Sequence, residues 1–161
     1  MSTQEPSGEG QKPLVGTEEA TIDDKGRILM GKKKRERLGR DFTIGLGALG
    51  CLVAYPQPVW QRLLTEIFSH DSTNLGRAQY SRLTLGLAED ELNFDAQGRV
   101  VVPRMLRDRA KLTDKVLLIG CGDRLEIWSK PEYEVYLRNP DGYGLEHLNA
   151  VERAQSQMVG R

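Results

Sequence analysis

Apolar residues recur with a helical period in one part of the chain and in short β-type runs elsewhere. In "PVWQRLLTEIFSHD" (58–71), Trp60, Leu63, Leu64, Ile67 and Phe68 fall at i, i+3, i+4, i+7 and i+8. That is the apolar stripe of an amphipathic helix. After "STNLG", the stretch "RAQYSRLTLGLAEDE" (77–91) continues in helical style, with Tyr80, Leu83 and Leu87 on a similar face. "PEYEVYL" (131–137) predicts a shorter helix, stopped at "NPDG", and the tail from Leu145 to about Met158 predicts a final one. These stripes read as core or subunit contact, not as a cofactor box.

The remaining apolar runs are short and punctuated. "EEATID" (18–23) and "ELNF" (91–94) predict strands leading into "DDKG" and "DAQG". Asp at the start of such a turn bonds the backbone ahead of it, and Gly takes positive φ at its end. "RILM" (27–30) and "RVVV" (99–102) are return strands, the second rich in β-branched residues. A short helix follows each, "KKKRERLG" with its Gly stop and "PRMLRDRAKL" opened by Pro103. "DFTIGLGALGCLVAY" (41–55) and "DKVLLIGCGDRLEIW" (114–128) then each predict strand, Gly-rich turn, strand.

The two sets of strands are copies of one unit. At a shift of 72, Asp23 falls on Asp95, Gly26 on Gly98, Arg27 on Arg99 and Arg35 on Arg107. At a shift of 73, Leu52 falls on Leu125, Tyr55 on Trp128, Pro58 on Pro131 and Trp60 on Tyr133. The unit predicts two hairpins around a short helix. A piece of roughly fifty residues buries little apolar surface alone, so the copies are expected to share one core. The fold class is α+β, with this organisation: a polar, disordered arm over 1–13, a first repeat over 14–58, a helical linker over 59–88, a second repeat over 89–131, and a C-terminal helical segment and tail over 132–161.

Composition narrows the class. With 161 residues, 39% hydrophobic and 29% charged, the chain is of ordinary soluble type. No apolar run approaches the ~18 residues of a membrane span, and "MSTQEPSGEGQKP" lacks the apolar stretch of a signal peptide. Two cysteines, Cys51 and Cys121, make no disulfide framework, and no Cys/His cluster has zinc spacing. A reduced, cytoplasmic protein without metal or cofactor is expected.

Catalysis finds little support. The only histidines, His70 and His147, stand in no recognisable acid–base context, and no serine or cysteine has a nucleophile setting. "GLGALG" (45–50) resembles a phosphate loop but lacks the Walker lysine and sits where the repeat predicts a hairpin turn. Asp23 and Asp95 suit turn-capping or arginine pairing better than general acid–base work.

Charge points elsewhere. The net charge is zero, yet residues 23–40 hold eight basic against three acidic side chains, and residues 95–115 hold six against three. Both basic windows begin at the repeated Asp–Gly–Arg element. Segregated charge of this kind serves a polyanionic partner, although a run of charges also forms an ordinary solvated face. Arg27 and Arg99 follow the turn glycine, where a side chain projects from the sheet. The guanidinium fork suits phosphate oxygens or guanine edges. The alternative is that each arginine pairs with its own Asp merely to pin a hairpin; both roles are compatible.

"IDDKGRILM…R" and "FDAQGRVVVPRMLR" resemble the loop–hinge–helix element of AbrB-like swapped-hairpin proteins. Two copies flanking an amphipathic helix, with the "YPxPxW" ending of the first, resemble the MraZ family of bacterial transcriptional regulators associated with the division and cell-wall gene cluster. The resemblance covers about residues 15–150. It implies a duplicated swapped-hairpin, double-split β-barrel with peripheral helices, ring-like homo-oligomers, and binding to direct repeats in double-stranded promoter DNA. It further implies a cytoplasmic, nucleoid-associated protein with no membrane and no small-molecule substrate.

The motif residues are Asp23, Gly26, Asp95 and Gly98. Expected DNA contacts are Lys25, Arg27, Lys32, Lys33, Lys34, Arg35, Arg99, Arg104 and Arg107. The first copy departs from the pattern at Gly31, where Pro103 opens the other helix, and at Lys34, where Leu106 supplies an apolar residue. Looser packing of that helix is one expectation and stronger phosphate binding another. The rival function is an oligomeric protein-interaction scaffold without specific DNA binding.

Overall fold

In the computed structural model, which describes residues 12–160, each repeat donates its first strand to the other. The first repeat comprises β1 (Thr17–Thr21), β2 (Arg27–Leu29), α1 (Lys32–Leu38), β3 (Phe42–Leu46) and β4 (Leu52–Tyr55). After α2 (Gln57–Phe68), α3 (Leu75–Leu83) and a 3-10 turn at Leu85–Leu87 comes the second. It runs β5 (Glu89–Leu92), β6 (Arg99–Val101), α4 (Arg104–Arg109), β7 (Lys115–Gly120) and β8 (Leu125–Ser129). Helices α5 (Lys130–Arg138) and α6 (Leu145–Val159) close the chain. The disordered-arm expectation falls almost wholly outside the described residues.

Six strands form one antiparallel sheet in the order β1-β7-β8-β4-β3-β5, and β2 pairs with β6 in a separate ribbon. Exchanging the repeats reverses this order onto itself, as an approximate two-fold axis requires. The axis runs beside two symmetric registers, Ile28 opposite Val100 and Val53 opposite Glu126. The local hairpin expected around each Asp–Gly turn shrinks in the first repeat to a single Ile22–Ile28 bridge. The long pairings go across, β1 with β7 and β2 with β6. The hairpins β3–β4 and β7–β8 are local, as their Gly-rich turns predict.

The shared core follows from this exchange. Ile28, Met30, Phe42, Ile44 and Leu52 of the first repeat and Val100, Val102, Leu106, Val116 and Ile127 of the second lie in one buried cluster. Pseudo-symmetry breaks at the sheet edges. β1 pairs with β7 in unbroken register, whereas β5 meets β3 across an irregularity, and Glu91 takes a φ of 54°.

Helix α2 buries Val59, Trp60 and Ile67, but Phe68 stays exposed beneath the Arg77 guanidinium. The helix expected to run through 77–91 stops at Thr84, and β5 begins at Glu89. α3 is clasped by α6: a Cβ at Gly76 would collide with the backbone of Gln157 and Met158, and Asn74 Nδ2 donates to the Met158 carbonyl.

Candidate nucleic-acid interface

The two Asp–Gly–Arg turns are built alike. Asp23 Oδ1 accepts the backbone N–H of Lys25 at 3.0 Å and of Arg27 at 2.9 Å, while Oδ2 accepts Arg27 Nε at 2.7 Å. Asp95 accepts the N–H groups of Gln97 and Arg99, each at 2.9 Å, and Arg99 Nε at 3.0 Å. Gly26 and Gly98 both adopt φ of 81°, which only glycine takes without strain. One carboxylate thus both closes the turn and aims its arginine.

These contacts hold both carboxyls below the usual Asp value of 3.8, chiefly through the arginine's backbone N–H and then, against partial desolvation, through its side chain. A depressed folded value means the contribution to stability is complete above the unfolded value and is lost as pH falls through the folded one. Thermal stability is therefore expected to decline below about pH 4, with Asp23 and Asp95 titrating below 3.8 by carboxyl NMR. In Arg27→Ala, Asp23 should remain below 3.8, because the larger cause, the backbone N–H, survives. A return to 3.8 would show that the guanidinium alone holds it.

The ribbon β2–β6 brings the arginines together. Ile28 and Val100 fill its buried face, so Arg27, Leu29, Arg99 and Val101 share the other. Arg27 stands opposite Val101, and Leu29 opposite Arg99. The arginines are thus diagonal neighbours, about 7–8 Å apart at that separation in an antiparallel pair. Their side chains are half-buried, while Leu29 and Val101 are 56% and 54% exposed. The turns differ in their side-chain partners: Arg99 also donates from Nη2 to Gln97 Oε1 at 2.9 Å, whereas the matching position in the first turn is Lys25.

The other expected contacts divide. Lys25, Lys32, Lys33 and Arg104 are exposed, with long ion pairs of 3.9 Å from Lys32 to Glu36 and from Arg104 to Asp108. Lys34 departs from the expected surface position. Its side chain is 11% exposed, and its ammonium lies 3.8 Å from Glu18 Oε2 and donates to the Val15 carbonyl at 3.4 Å. Glu18 also accepts the Gly31 N–H at 2.9 Å. A polar clasp from β1 thereby replaces the apolar packing that Leu106 supplies in the second repeat, and α1 forms a full seven residues.

Arg35 and Arg107 depart too. Each is half-buried and lies over the turn glycine of the opposite repeat, Arg35 on Gly98 and Arg107 on Gly26. Neither this crossing nor the part played by Glu18 has a local sequence signal, since both depend on strand exchange. Among the described residues, no group of three or more His, Cys, Asp or Glu side chains is placed to hold a metal, and no helix is long and apolar enough to cross a membrane.

Comparison with known proteins agrees with the duplication. A family model described as "MraZ protein, putative antitoxin-like" matches residues 14–82 and again 86–151. A Transcriptional regulator MraZ from Thermoanaerobacter sp. (strain X514) is 37% identical over 128 residues, covering 80% of this chain and 89% of the relative. Proteins of the same name from Salinispora arenicola and Bifidobacterium longum are each 37% identical, over 124 and 131 residues. They cover 77% and 81% of this chain and 87% of each relative. With its repeated turns, its exchanged strands and these matches, the chain belongs to the MraZ family.

Proposed function

We propose that the protein is a sequence-selective, DNA-binding transcriptional regulator that recognises direct repeats in promoter DNA near the division and cell-wall gene cluster. The observation that carries the reading is the ribbon face, on which two Asp-aimed arginines stand side by side across the pseudo-two-fold. Two-stranded ribbons fit the major groove, and the guanidinium fork matches the guanine edge. Arg27 and Arg99 read base edges or set register. Lys25, Lys32, Lys33 and Arg104, flanking them on turns and helices, hold phosphates.

The fold belonging to this reading is the AbrB-like double-split barrel, supported by the reciprocal exchange of first strands. Ring-like homo-oligomers in the cytoplasm, associated with the nucleoid, complete it. No catalytic step is assigned to the protein.

Phosphate contacts make affinity fall with salt. With Lys25, Lys32, Lys33 and Arg104 each neutralising one phosphate, log K against log salt has a slope of about −3.6, steeper in an oligomer. Replacing Lys32 and Lys33 together by Ala is expected to flatten this slope by about 1–2 and to weaken all DNA alike. A loss confined to one sequence would remove them from the backbone-contact set. Fluorescence anisotropy across a salt series measures both.

Exposed Leu29 and Val101 on the same face favour a second reading, a scaffold that docks a protein partner there. On that reading DNA binding is weak, indifferent to sequence and insensitive to salt.

A further inference from the structure

The helix arginines do not meet their own repeat's turn. A Cβ on Gly26 would stand 2.7 Å from Arg107 Nε and 2.8 Å from its Cζ; on Gly98 it would stand 2.8 Å from Arg35 Cζ. Each guanidinium therefore rests directly on the bare face of the opposite glycine. The backbone repeats the crossing: Val102 N–H donates to the Gly26 carbonyl at 2.8 Å and Met30 N–H to the Gly98 carbonyl at 3.2 Å. Every Asp–Gly–Arg turn is thus held from the other repeat at both its carbonyl and its open side.

We propose that Arg107 is the positioning residue for the Asp23–Arg27 turn and Arg35 for the Asp95–Arg99 turn. The base preference contributed by one repeat is then set by the helix arginine of the other. The inference rests on the DNA-binding reading above and assigns these two arginines to the turns instead of to phosphates. A planar guanidinium covers a peptide face that a compact, strongly hydrated ammonium does not, so lysine is a poor substitute. The two positions are unequal. Arg35 Nε donates to the Met30 carbonyl at 3.0 Å, whereas Arg107 Nε is buried with no partner among the described residues. Contact with Gly26 is then a larger share of what holds Arg107, and the first turn is the more sensitive of the two.

Double-mutant cycles test the crossing. Preference for native over scrambled promoter DNA is measured by anisotropy for Arg107→Lys in three backgrounds. A roughly tenfold loss is expected in wild type and in Arg99→Ala, and almost none in Arg27→Ala, since losses at residues acting through one element do not add. Arg35→Lys should show the converse. Independent, additive losses, coupling within one repeat, or full function with lysine would overturn the proposal.

Amide NMR of the free protein gives a second readout. Arg107→Lys should move the Gly26 and Arg27 signals and spare Gly98 and Arg99; an unmoved Gly26 overturns positioning whatever the DNA does. Wild-type binding without sequence preference would instead defeat the regulator reading, and the amide shifts would still decide positioning. Should the lysine variant lose its dispersed spectrum, Arg107→Gln answers the same questions.

Discussion

With Arg27 and Arg99 both replaced by Ala, the protein folds as the wild type does but binds native promoter DNA no more tightly than scrambled DNA. The fold is expected to survive because each turn keeps its main closures. Asp23 and Asp95 still accept two backbone N–H groups apiece, and the turn glycines still bond across the repeats. The side chains removed are about a third exposed and lie on the outer face of the ribbon, so no core is lost. What disappears is the pair of forks. A bidentate base contact discriminates by about 1–3 kcal/mol, so losing two lowers the specificity ratio about a hundredfold or more. Anisotropy measures the ratio and circular dichroism the fold. An unfolded variant would mean that the arginines serve only to pin the turns.

The second large effect concerns stability. Ile28→Ala is expected to cost about 3 kcal/mol, within the usual range for a buried Ile that leaves a cavity. For a chain of this size that lowers Tm by about 6–12 °C. Ile28 is 0% exposed and pairs with Val100, 1% exposed, where the two repeats cross. The cavity therefore opens in the core both copies share. One cooperative transition should move as a unit in calorimetry, and hydrogen exchange should quicken in β3 and β7 alike. Two separate transitions, or quickened exchange confined to the first repeat, would contradict the shared core.

Much of this was legible in the residues, and the illegible part has a common cause. The duplication, the turn grammar and the stripe of α2 are local signals, carried by Asp, Gly and apolar spacing within a few positions. Local signals state which face of a strand is buried but not which strand lies beside it. "EEATID" therefore reads as half of a local hairpin, while its pairing with β7 depends on residues almost a hundred positions away. Lys34 reads as one charge in a basic run because Glu18, its partner, arrives by that same strand. Gly76, in the "STNLG" that precedes the helical stretch, carries no local sign of α6, whose close approach admits no larger residue. Arg35 and Arg107 align perfectly in the repeat, yet the alignment is silent on the fact that each serves the other copy.

Unequal turns also bear on how the two halves meet DNA. Arg99 is restrained by Gln97 as well as by Asp95, while the first turn offers Lys25 as an added cation. On the reading proposed here, the first repeat contributes more phosphate binding and the second a more fixed guanidinium.

The most direct test compares binding of the purified protein to the DNA upstream of its own gene and to a scrambled duplex of equal length and composition, by anisotropy at two salt concentrations. Tighter binding to the native duplex, weakening at the higher salt on both, is the predicted result. Equal, weak and salt-insensitive binding to both would contradict it and leave the ribbon face as a protein-docking surface.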